Sequence, residues 1–202
     1  VILAHLRRSV ISIVVMTALF GFVYAFAGTG VAQLLFKNQA DGSVTANGSP
    51  LIGQNWSSPK WFHGRPDDAG PYATTNLGVN PVGRGGDNPL VANGVSGGSA
   101  ATNLGPRSKV LKADTEALVA YWHKLGVNPT PDLVTTSGSG LDPDISPADA
   151  LVQIPMVSKA TGISPSALRA LIARETNGAQ LGFLGGSYID VLQLNEALAT
   201  LQ

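Results

Sequence analysis

No cysteine occurs in this chain of 202 residues, which excludes a disulfide framework and any thiolate metal site. Charge is scarce as well. Only 13% of residues are charged, and 13 basic side chains balance 13 acidic ones. With no basic excess and no basic patch, the electrostatic footprint of a nucleic-acid-binding protein is missing. Setting Arg7 and Arg8 aside leaves 11 basic groups against 13 acidic, so the remainder is slightly acidic. A domain without cross-links has to be held by packing alone, and the 24 glycines imply long loops over a compact core. The length suits one domain plus an appendage.

Charge is absent altogether from Ser9 to Phe36, a run of 28 positions. That exceeds the roughly 20 apolar residues needed to cross a bilayer. Tilt, or the Gly28-Thr29-Gly30 step, can absorb the excess. Arg7 and Arg8 precede the run and Lys37 follows it, so the positive-inside rule puts residues 1–8 in the cytoplasm and the bulk outside. The competing reading is a cleaved signal peptide, with Ala25-Phe26-Ala27 as the cleavage site. A signal core spans only about 7–15 residues, whereas this run continues through Val31, Leu34, Leu35 and Phe36. A retained membrane helix over 9–36 is therefore expected, with Ala18, Gly21, Ala25 and Gly28 as small residues that permit close helix packing. Val1 is expected to be an initiator read literally from a non-standard start codon.

Residues 37–202 read as an α+β domain, a mixed sheet with several helices. Strands are expected at Pro50–Gln54, ending Leu133–Thr136, and at Tyr188–Leu192. Helices are expected from Ser108 to Leu125, from Ser146-Pro147, from Ser164-Pro165 and from Leu194 to Leu201. Ser146 with Asp149 resembles a capping box, and Pro155 should kink or end its helix early. Trp56, Trp61 and Phe62 are either interfacial anchors or core. His63 beside Arg65 lacks the further ligands of a metal site and reads as structural pairing. Residues 67–101 form a Gly/Asn/Pro-rich loop, either mobile or laid over a partner, in which ATTNLG (Ala73 to Gly78) is echoed by AATNLG (Ala100 to Gly105).

Three chemistries can be tested. The loop Ser137, Gly138, Ser139, Gly140 has phosphate-loop glycines, but Leu141-Asp142 follows where a lysine is required. Gly138 and Gly140 are expected in backbone conformations closed to β-branched residues. Gly94-Val95-Ser96-Gly97-Gly98 fits G-x-S-x-G, with Asp114 and His123 downstream, but the elbow lacks its strand–turn–helix context. Asp114 and His123 also lie nine positions apart on one expected helix, roughly 13 Å along its axis. Asp142, Asp144 and Asp149 lack the spacing and terminal Glu of a calcium loop. No catalytic group and no metal site is assigned, and Ser137 to Gly140 remains the candidate nucleotide loop.

Several motifs occur in a fixed order: GSPLIGQNW (Gly48 to Trp56), WFHGRP (Trp61 to Pro66), TNLGPRS (Thr102 to Ser108), DLVTTSGSGLDPDISP (Asp132 to Pro147) and LGFLGGSYIDVLQLNEAL (Leu181 to Leu198). With the apolar N-terminus, this order resembles the C subunit of the Kdp potassium-transporting P-type ATPase from about Ser9 to Leu198, apart from the longer loop at 67–101. The resemblance implies a single-span accessory subunit in the cell membrane, working beside the ion-conducting and ATP-hydrolysing subunits. It also implies that ATP and potassium are handled by the complex, with this subunit stabilising assembly, raising the pump's affinity for ATP or shaping ion entry. The expected topology places the domain across the membrane from ATP. The alternative is a membrane-anchored or secreted binding protein for an extracytoplasmic ligand.

Overall fold

The computed structural model describes residues 2–54, 56, 58–66 and 104–202. The chain divides into two compact units, the first ending at Ala46 and the second starting at Asn47.

The first unit is one continuous helix, Ile2–Leu35, followed by a short turn. Its 34 residues are long and apolar enough to cross a membrane, consistent with a single-pass anchor. It starts earlier than the uncharged run, because Arg7 and Arg8 are good helix formers and add a cationic first part. Within it α1 (Ile2–Met16) and α2 (Tyr24–Leu35) flank a π-helical stretch, Thr17–Val23, with Gly21 inside it. The Gly28-Thr29-Gly30 step does not break the helix, and Thr29 Oγ1 donates to the Ala25 carbonyl at 2.9 Å. After Phe36 a single turn, α3 (Lys37–Ala40), is tied off by Asp41, which accepts from Gln33 Nε2 and Lys37 Nζ, each at 3.0 Å. Those two bonds, Gln33 first, hold the Asp41 carboxyl below the usual carboxylate range.

The second unit is mostly helical. Its helices among the described residues are α4 (Lys109–Lys124), α5 (Pro147–Thr161), α6 (Pro165–Glu175) and α7 (Val191–Ala199), and α6 packs against both α5 and α7. Each begins at a side-chain cap that satisfies an orphan amide: Ser108 accepts from Leu111, Ser146 from Asp149, Ser164 from Ala167 and Asp190 from Gln193. Asp149 completes the capping box by accepting from the Ser146 amide at 2.8 Å. Phe62, Trp122, Leu133, Val157, Leu168, Ile189, Leu194 and Leu198 form the fully buried centre. Trp122 anchors it further by donating from Nε1 to the Leu133 carbonyl at 2.9 Å.

Among the described residues the expected mixed sheet is reduced to two antiparallel strands, β1 (Asp144–Ile145) and β2 (Ile189–Asp190), paired Asp144 to Asp190 and Ile145 to Ile189. Leu133–Thr136 does not end a strand. Pro131 starts a 3-10 turn, Pro131–Val134, whose Leu133 carbonyl is already taken by Trp122. Pro50–Gln54 forms no strand either, although its Gly53 amide donates to Leu141 at 2.8 Å. The Tyr188–Leu192 strand stops at Asp190, whose carboxylate caps α7 and starts that helix three residues sooner than expected. Pro155 does not end α5, which runs on to Thr161 and closes on Gly162 at φ +77°. One missing amide is tolerated in a helix packed on its neighbour. Trp56 and Trp61 are partly buried against the core that contains Phe62, so the core role holds for these aromatics.

Candidate functional site

The motifs that were separate in sequence interlock here. Phe62 and His63 form a short irregular piece whose backbone is read by two helix side chains. Asn195 of α7 accepts from the Phe62 amide at 2.9 Å and donates to its carbonyl at 2.8 Å. Gln153 of α5 accepts from the His63 amide at 2.8 Å and donates to its carbonyl at 3.0 Å. Each carboxamide matches one residue's donor and acceptor as a neighbouring strand would. Gln153 and Asn195 are fully buried, so no water competes for these bonds.

The next charged residue, Arg65, braces the Ser/Gly loop from outside. Its guanidinium donates to the Thr136 carbonyl at 3.2 Å, to the Thr135 carbonyl at 3.4 Å and to the Asp142 carboxylate at 3.4 Å. His63 and Arg65 are held by separate partners and do not pair with each other. His63 Nε2 lies 3.1 Å from the Ser58 carbonyl, and the ring rests 5.5 Å from Trp122. Burial pushes its pKa down to about 4.

Inside the loop, Ser137 Oγ accepts from the Gly140 amide at 3.0 Å, and Ser139 Oγ accepts from Leu141 at 3.1 Å. Both hydroxyls thus close their own turn. Gly140 is left-handed at φ +71°, as expected, whereas Gly138 has no positive φ and open space where a Cβ would go. Gly140→Val should cost about 1–3 kcal/mol through strain, while Gly138→Ala stays nearly neutral. Urea melts of the two variants check this, and equal midpoints would contradict it.

Asp142, Asp144 and Asp149 line one open hollow of about 170 Å³ together with Asp132, Arg65 and Tyr188. Burial first, then the facing Asp190 and Asp142, lift Asp144 to about 6, and burial raises Asp190 as well. Asp149 is already engaged by Ser146 and by the Thr130 hydroxyl. A phosphate would need free amides and cations, and here it would meet carboxylates at a helix start already occupied by its own cap. Of the hydrolase constellation, Asp114 is buried on α4 and His123 is exposed at its end, 3.4 Å from Asn128; Ser96 lies outside the described residues, as does the 67–101 loop.

Four motifs of the ordered series thus meet in one unit: Gly53 against Leu141, Arg65 against Asp142, Phe62 against Asn195 and Ile145 against Ile189. A family model described as "KdpC: K+-transporting ATPase, c chain" matches residues 6–200. The chain belongs to the KdpC family. It is 40% identical over 204 residues to a protein of Caulobacter vibrioides named "Potassium-transporting ATPase KdpC subunit", covering 97% of this chain and 93% of the relative. A Geobacter sulfurreducens protein of the same name is 42% identical over 203 residues, with 98% of each chain covered. One from Sorangium cellulosum is 40% identical over 206 residues, with 97% of each covered. The sequence pattern missed the paired carboxamides Gln153 and Asn195, because a single amide on a helix carries no signal of what it will meet.

Proposed function

We propose that this KdpC-family chain is a non-catalytic accessory subunit of an ATP-driven potassium importer, acting by contact with the ion-conducting and ATP-hydrolysing subunits. The observation that carries this is a family match over 6–200 that includes a membrane-length helix with none of its described side chains buried. Residues 1–8 lie in the cytoplasm, residues 9–36 cross the membrane and residues 37–202 form the outer domain, the orientation resting on Arg7 and Arg8. Any gain in ATP affinity reaches the pump subunit through the membrane helices, and the outer domain steadies assembly or shapes ion entry.

The test is detergent purification of the tagged chain with identification of its companions. Both pump subunits should accompany it. A chain purified alone and carrying a small ligand would support a binding protein instead. Gly21→Leu sharpens the test, because a Cβ at Gly21 meets nothing closer than Thr17 Cγ2 at 3.9 Å. The helix itself accepts the larger side chain, so a several-fold loss of companions would report packing between helices in lipid. Undiminished recovery would place that face against lipid.

A further inference from the structure

An uncharged stretch, Thr176 to Ile189, leaves α6 and returns to β2. Its base is fixed by reciprocal amide–carbonyl bonds between Asn177 and Tyr188, at 2.8 and 3.0 Å. A second reciprocal pair, Gln180 with Leu184, closes the tip at 2.9 Å in both directions. What this frame presents is apolar: Leu181 is 82% exposed, Phe183 75% and Leu184 48%. Leu181 holds φ +52°, a conformation that costs energy for any residue with a Cβ. A strained leucine aimed at solvent and backed by a hydrogen-bonded turn loses little conformational freedom on docking, which is how a hot spot is built.

We propose that Leu181, Phe183 and Leu184 form a knob that seats in an apolar socket with a basic rim on another subunit of the pump; this rests on the accessory-subunit reading. Charge selects that occupant over a lipid surface. Ser187 and Tyr188, at the base of the knob, line the hollow that holds Asp132, Asp142, Asp144 and Asp149, with Arg65 as the one cation among the described lining residues. No lysine or arginine lies between Thr176 and Asp190, and Arg174 before them is engaged by Glu175 at 2.8 Å. Anionic headgroups would be repelled by those carboxylates, and lipid-inserting segments use flanking cations that this one lacks. A socket rimmed by lysine or arginine is complementary to both the tip and its surround.

The experiment uses the full chain with its companion subunits in native membranes. Benzoylphenylalanine placed at position 183 should cross-link on illumination to one identified pump subunit. The Leu181→Gly/Phe183→Ser double variant should weaken association by at least roughly tenfold, the scale of a lost hot spot. Leu181→Gly relieves the left-handed strain, so its tryptophan-fluorescence melt should fall no lower than that of the wild type, and weakened association cannot be blamed on unfolding. Cross-linking to lipid alone, or wild-type association by the variants, would overturn the knob while leaving the accessory-subunit reading intact. A wild-type chain that brings down no pump subunit would remove both.

Discussion

Asn195→Leu should lower the stability of the second unit by about 4 kcal/mol. The leucine fits the volume but strands the Phe62 amide and carbonyl, both inside a fully buried contact. An unsatisfied buried polar group costs about 1–3 kcal/mol, and two are left behind. Gln153→Leu should do the same to His63. Set against a total of about 5–15 kcal/mol for an ordinary domain, either change brings the unit close to unfolding. The two losses should not add. Phe62 and His63 are consecutive, so once one carboxamide is gone the segment detaches and the second has less left to hold. Tryptophan fluorescence during urea unfolding of the detergent-solubilised chain reports this directly, since Trp56, Trp61 and Trp122 all belong to the second unit. Losses under 1 kcal/mol would show that the clamp is incidental.

Acid should destabilise the same segment through His63. Its folded pKa of about 4 lies below the ordinary 6.5, because burial penalises the charged ring. Between those values the unfolded chain binds a proton that the folded one refuses, so stability falls as pH drops from 6.5 to 4, by about 3 kcal/mol in all. Asp144 acts with the opposite sign. Its folded pKa of about 6 exceeds the ordinary 3.8, so the folded form holds a proton longer and the stability this brings is lost as pH rises through that window. Asp190 shifts in the same direction. The wild-type profile between pH 4 and 6 is therefore partly compensated. His63→Gln removes one arm of the balance, so the variant should grow more stable toward pH 4.5 relative to its own value at pH 6.5. Melting temperatures across that range decide it, and an acid loss unchanged by the substitution would sink the assignment.

Local signals carried much of the architecture into the sequence. Ser108, Ser146-Pro147 and Ser164-Pro165 mark helix starts because a hydroxyl beside a free amide is a local bond, independent of the rest of the fold. Competing contacts defeated the strand assignments. Val134, Thr135 and Thr136 suit a strand by type, yet Pro131 and the Trp122 indole from the preceding helix draw the segment into a turn. Asp190 looked like part of a strand and became a helix cap, which moved the start of α7. The order of motifs was legible and gave the family. Their mutual contacts were not: Gln153 reaches His63 across 90 positions and Asn195 reaches Phe62 across 133, with nothing local to announce either bond.

That last separation constrains the chain during its own synthesis. Phe62 emerges from the ribosome 133 residues before the side chain that will pair its backbone. At about 5–20 residues per second the wait is on the order of ten seconds. Through that interval Trp61, Phe62 and His63 have no α7 to close over them, and this early segment stays open until α7 has been made. Contacts this distant in sequence are slow to form, because a long loop must close first. A chain cut before Asn195 would keep the Phe62 segment and leave its amide and carbonyl unfastened.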